Sequence, residues 1–82
     1  VQSLADSAAR RAGLLQATPK WANRGAIRAV YERCMQITRD TGMPHEVDHI
    51  VPLRGERVSG LHVHWNLQVI PAVENRIKSN RF

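Results

Sequence analysis

One cysteine, Cys34, stands in a chain of 82 residues, and that shortage limits the fold more than any other feature. No intrachain disulfide can form, and no zinc knuckle of Cys-x-x-Cys pairs can form either. A chain this short buries only about 60% of its unfolded surface. Its core must come from side-chain packing, with bound metal, nucleic acid or a partner adding stability where present. Cys34 reads as a small buried hydrophobe on a helix. One domain over residues 1–82 is the expectation.

The chain changes character near residue 44. Before it, apolar residues recur at helical spacing. Ser3 to about Gln16 reads as a helix with a thin stripe of Leu4, Ala8, Ala12 and Leu15, weakened by Gly13. Ala17-Thr18-Pro19-Lys20 breaks it. Asn23 then suits an N-cap, and Ile27, Val30, Tyr31, Cys34, Met35 and Thr38 form one face of a second helix. Gly42 suits its C-terminal stop, with Pro44 just beyond. Arg24, Arg28, Arg33 and Arg39 fall mainly off the apolar face. They form either a solvated surface or a ridge facing DNA.

After residue 44 the pattern becomes strand, long loop, strand, helix. Glu46-Val47-Asp48 suits a short strand, and Pro52 to Gly60 suits a loop punctuated by Gly55 and Gly60. Leu67-Gln68-Val69-Ile70 alternates as a second strand. Pro71 fits the first position of a helix filled by Ala72 to Ser79. The fold class expected is α+β, with a helical part over residues 1–44 packed on a C-terminal part over 45–82.

Charge narrows the partners. Twelve Lys and Arg against seven Asp and Glu give a formal net charge of +5, with a pI near 10.7. That balance suits nucleic acid. No apolar run approaches a membrane span, and no secretory leader is visible, so a cytoplasmic, membrane-free chain is the expectation. The first residue is Val1, as in a trimmed chain or a piece of a longer one.

The chemistry concentrates in the second half. Glu46-Val47-Asp48-His49-Ile50-Val51-Pro52-Leu53 is followed by Gly60-Leu61-His62-Val63, then Trp65-Asn66-Leu67-Gln68, then Asn75-Arg76-Ile77-Lys78-Ser79-Asn80. A carboxylate beside an imidazole offers a metal ligand and a proton acceptor. This order resembles the HNH endonucleases of phage or bacterial type, whose fold is called ββα-metal or His-Me finger. The resemblance covers roughly His45 to Arg81, and strand-loop-strand-helix is that family's order.

The resemblance implies a role for each member. His49 matches the general base that activates water. Asp48 matches the first metal ligand. Asn66 matches the Asn that braces the loop and orients the His. Asn75 matches the second metal ligand, a position held by His in many members. Phosphodiester hydrolysis needs both parts, since a neutral His, with an ordinary pKa of about 6.5, accepts a proton and a divalent ion stabilises the developing charge. Adjacent strand residues point to opposite faces. Asp48 and His49 must therefore sit where strand gives way to loop if both face the site. Two hard oxygen ligands suit Mg²⁺ or Mn²⁺, with Zn²⁺ or Ni²⁺ as the alternatives.

Two departures from the family pattern matter. The paired cysteines that hold a structural zinc in many members are missing, so Trp21 and Tyr31 are expected to support the motif by packing. A further His ligand, found in toxin-type members four residues after the last motif position, is Ser79 here.

Other residues near the motif carry weaker signals. His45 could supply a supporting contact behind the site. His62 and His64 would share a face in a strand, where either touches phosphate or metal. The plainer reading for all three is a surface or loop-stabilising histidine. Arg76 and Lys78, on the helix expected to approach the duplex, are candidates for phosphate contact, as is Arg54. Arg57 and Arg81 lie near the same motif. Trp65 is expected in the core, and Trp21 and Phe82 are too isolated for single-strand stacking.

The resulting expectation is a metal-dependent endonuclease that nicks double-stranded DNA, acting as a monomer or weak dimer without structural zinc. The alternatives are a basic DNA-binding module that does not cut, and a bacterial nuclease toxin domain.

Overall fold

Pro19 and the polar cap at Asn23 divide the N-terminal half into two helices, α1 over Leu4–Ala17 and α2 over Arg24–Thr41. The computed structural model describes residues 4–53 and 59–78. Arg54, Arg57, Ser79, Arg81 and Phe82 lie outside the described residues, as does the side chain of Leu4.

Local chemistry fixes the ends of α2. Asn23 is extended, and its side chain accepts the Ala26 N–H at 2.9 Å, satisfying one orphan donor of the first turn. Gly42 closes the helix with φ of 69°, in the left-handed region, and its N–H donates to Thr38 O at 2.9 Å. A residue with a Cβ resists that conformation. Ile27 and Cys34 are buried and Val30 and Thr38 half-buried, on the face their spacing predicts. Tyr31 and Met35, at the margins of that face, are exposed. Arg24, Arg28, Arg33 and Arg39 are all exposed.

The stripe expected on α1 needs correction. Ala8, Ala12 and Leu15 are exposed, and Gly13, Leu14 and Ala17 are half-buried instead. Alanines bury too little area to set a helix's rotation. Contact with the rest of the chain sets it, as where Ala17 O accepts the His62 N–H at 3.0 Å.

Two strands follow, β1 over His45–His49 and β2 over Leu67–Pro71. They pair antiparallel, His45 opposite Pro71, Asp48 opposite Gln68 and His49 opposite Leu67. Pro71 ends β2 and does not open the last helix, which is α3 over Ala72–Lys78. A proline fits the end of a ladder, where no N–H is needed. The Ala72 N–H donates to Pro44 O at 3.0 Å, tying α3 to the start of β1.

The pleat sorts β1 onto two faces. Glu46 and Asp48 bond to side chains of α3. On the other face, His45 N–H donates to Thr38 Oγ1 of α2 at 3.0 Å, and His49 meets the loop before β2. The described residues thus form a small α+β structure with the two-stranded sheet between α2 and α3.

Ile27, Cys34, Val63, Leu67 and Ala72 supply the buried apolar side chains. The tryptophans do not. Trp65 is 62% and Trp21 66% exposed, which overturns the core placement of the first and the packing role of the second. Trp65 lies in a single 3-10 turn, His64–Asn66, whose flanking Val63 and Leu67 already fill the interior. Tyr31 is also exposed, and its ring lies tilted beside that of His62.

Candidate functional site

Asn66 organises the segment between the strands. Its Oδ1 accepts the Val51 N–H at 2.9 Å, and its Nδ2 donates to Val51 O at 3.0 Å and to Leu61 O at 2.9 Å. Its backbone carbonyl accepts the Ile50 N–H at 2.8 Å. One buried amide thereby clamps both ends of the loop that follows His49. Gly60 allows this closure. Its N–H donates to Pro52 O at 2.8 Å, and a Cβ there would meet Val51 O and lie 2.8 Å from Asn66 Nδ2. In the sequence Gly60 stands only as loop punctuation, because the approach that requires glycine comes from Val51 and Asn66, outside its own turn.

His49 is the last residue of β1, whereas Asp48 lies within the ladder opposite Gln68 and on the other face, so only His49 stands where strand gives way to loop. Its Nε2 lies 2.9 Å from Nδ1 of His62. Burial lowers the His49 pKa from its ordinary value, with proximity of His62 adding to the effect, Asp48 opposing it and Lys78 reinforcing it. Burial lowers that of His62 as well. Both rings are therefore held toward the neutral form.

Asp48 is buried, and its carboxylate is held by Gln68 and Lys78. Gln68 Nε2 donates to Oδ2 at 2.8 Å, and Lys78 Nζ forms an ion pair with Oδ2 at 3.0 Å. Lys78 also donates to His49 O at 3.0 Å. The residue expected to face phosphate thus turns onto Asp48. Arg76 is exposed. Asn75 lies on the same side of β1, but its Nδ2 donates to Glu46 Oε1 at 2.8 Å. Asp48 and Asn75 therefore share a side of the sheet with separate partners.

The remaining histidines separate. His62 is buried and His64 exposed. They lie in no strand and share no face, because His64 opens the 3-10 turn. His45 stands at the opposite end of β1 from His49, its Nδ1 2.7 Å from Met43 O, a local contact remote from the site.

Asp48, His49 and Lys78 line one open cavity of about 1010 Å³, together with Tyr31, Leu61 and Arg10. Arg10 has no signal in the sequence, since only the placement of α1 brings it to the cavity wall. Comparison with protein-family models, curated proteins and solved structures found no match.

Among the described residues, no group of three His, Cys, Asp or Glu side chains could hold an ion. A hard cation that keeps most of its waters needs less. The buried carboxylate of Asp48 and the side-chain carbonyl of Asn75 are donors of that class, but Asn75 is turned onto Glu46 and does not line the cavity that Asp48 borders, and the Lys78 ammonium competes for Asp48. The set lacks soft donors, which disfavours thiolate-type metals. No helix among the described residues is long and apolar enough to cross a membrane.

Proposed function

We propose that this chain is a metal-dependent endonuclease of the HNH type, with a ββα-metal site, that hydrolyses phosphodiester bonds in double-stranded DNA and nicks one strand at a time. The observation that carries the reading is the Asn66 clamp beside His49. The bracing role that the resemblance implies for this Asn is matched by three side-chain hydrogen bonds across the loop. An Asp, an imidazole held toward its neutral form and an open cavity complete the support.

In this reading His49 takes the proton from the attacking water as the new bond to phosphorus forms and the 3′ oxygen leaves. Asp48 and Asn75 would hold Mg²⁺ or Mn²⁺, which supplies counter-charge to the phosphate and the leaving oxygen. Asn66 keeps the loop closed so that His49 holds one orientation. Tyr31 and the loop at Leu61 wall the cavity. The exposed arginines of α2 and Arg76 give a salt-sensitive hold on the DNA backbone. The products would be 5′-phosphate and 3′-hydroxyl ends, as the resemblance implies.

A second reading has one observation in its favour. With Lys78 seated on Asp48, the carboxylate already has a cation, which suits a basic module that binds DNA without cutting. Purified protein with supercoiled plasmid and Mg²⁺ or Mn²⁺ separates the two. Nicking that disappears in a folded His49→Ala variant supports the enzyme. Salt-sensitive binding with no nicking in any divalent metal supports the module.

A further inference from the structure

His62 is the histidine that the Asp-His, Asn, Asn pattern does not require. The residue is 9% exposed and is held from two helices. The backbone N–H donates to Ala17 O at the end of α1, and the Tyr31 ring of α2 lies tilted beside it at 6.3 Å. Against this fixed ring stands His49. The two ring centroids are 5.2 Å apart and inclined by 50°, so the rings meet through their nitrogens and do not stack. Nε2 of His49 and Nδ1 of His62 are 2.9 Å apart.

A hydrogen bond between two neutral imidazoles contains one proton, which belongs to one ring or the other. If His62 Nδ1–H donates, the Nε2 lone pair of His49 is taken and its Nδ1 carries hydrogen. His49 then has no free lone pair for water. If His49 Nε2–H donates, the lone pair on its Nδ1 is free. Among the described residues no hydrogen bond reaches that Nδ1, and His49 borders the open cavity. Only the second arrangement leaves His49 able to act as a base.

We infer that His62 is a positioning residue whose Nδ1 accepts the Nε2–H of His49, fixing the tautomer in which His49 Nδ1 takes the proton from water. The inference rests on the nuclease reading for its chemistry, while the tautomer is a property of the free protein. As water oxygen bonds to phosphorus, its proton passes to Nδ1 and the bond to the 3′ oxygen breaks. His49 keeps its Nε2–H throughout. The bond to His62 then becomes charge-assisted, which holds the imidazolium in place.

The free protein, labelled with ¹⁵N and without DNA or metal, provides the direct test at about pH 8, where both rings are neutral. Long-range ¹H–¹⁵N correlation should show hydrogen on His49 Nε2, slow to exchange with solvent, and an unprotonated Nδ1. The same proton should exchange freely in His62→Leu and stay protected in His62→Asn, whose side-chain oxygen can replace the acceptor. Hydrogen on His49 Nδ1 with a bare Nε2 in the wild-type protein would overturn the inference, and this measurement needs no variant to fold. On plasmid, His62→Leu should lower kcat about 10- to 100-fold with KM little changed, and His62→Asn should recover most of the loss. An Asn variant as impaired as the Leu variant would also overturn the acceptor role. A wild-type protein with the expected tautomer but no nicking under any divalent metal would sink the nuclease reading alone.

Discussion

Asn66 uses every polar atom of its side chain on the loop it closes. Its burial makes each unmade bond costly, since no water replaces the lost partner. Asn66→Asp keeps the shape but turns a donor into an acceptor that faces the carbonyls of Val51 and Leu61. We expect a loss of about 3 kcal/mol, read as a lower urea midpoint, and an unchanged midpoint would show that the clamp contributes nothing. Gly60→Ala tests the same closure from the opposite side. Its methyl would press on Val51 O and Asn66 Nδ2, for an expected cost of about 1–3 kcal/mol. Thermal unfolding checks it, and a variant as stable as wild type would mean that the loop yields easily. Asn66 stood out in the sequence because it belongs to the run of residues that carries the family resemblance, and its loop contacts came only with the fold. The need for glycine at 60 was not legible there, because it comes from a contact across the fold.

At the scale of elements, α3 is fastened to β1 by two side-chain pairs one helical turn apart, Asn75 with Glu46 and Lys78 with Asp48. The same spacing that suits a helix places both pairs along one strand face. Lys78→Gln removes the cation from a buried carboxylate. Lys78 is itself partly exposed, so we expect about 1–2 kcal/mol of destabilisation, below the value for a fully buried pair. Under the metal reading, Mn²⁺ should raise the Tm of this variant more than that of wild type, because the ion no longer competes with an ammonium. Equal shifts in a thermal-unfolding series would remove Lys78 as a competitor. The ends of α2 were readable from Asn23 and Gly42, since caps act within one turn. The inward face of α1 is not legible in its sequence, because its stripe of small residues sets no strong preference and Leu14 and Leu15 lie side by side.

For the whole molecule, the thin apolar core leaves buried polar groups with a large share of the interior. Asp48, His62 and Asn66 are buried beside it. Among the described residues none of the buried side-chain nitrogens and oxygens lacks a partner. Such an interior makes stability depend on pH. Folding lowers the proton affinity of His62 through burial and of His49 through burial and the nearby His62. The groups around them are Asp48, Lys78 and Tyr31, and the attraction of Asp48 only partly offsets the burial of His49. The unfolded chain then binds more protons than the folded one at acidic pH, so stability is full above the ordinary His value of about 6.5 and declines below it. Urea midpoints at about pH 7.5 and about pH 5.5 should show the lower value in acid. A midpoint that holds or rises in acid would mean that these rings charge freely in the folded state.

The amino-acid sequence by itself determined the ends of α2, the presence of the two strands and the order of polar residues along them. Each of those depends on neighbours within a turn or on alternation along a strand, which are short-range effects. It also offered Asp48, His49, Asn66 and Asn75 as candidates, through the family resemblance that their order carries. Tertiary structure alone decided which atoms meet. His49 reaches His62 across thirteen positions, Asn75 reaches Glu46 across twenty-nine and Lys78 reaches Asp48 across thirty. Those contacts depend on strand register, loop closure and the docking of α3, whose geometry is set by packing over the whole chain and by no local pattern.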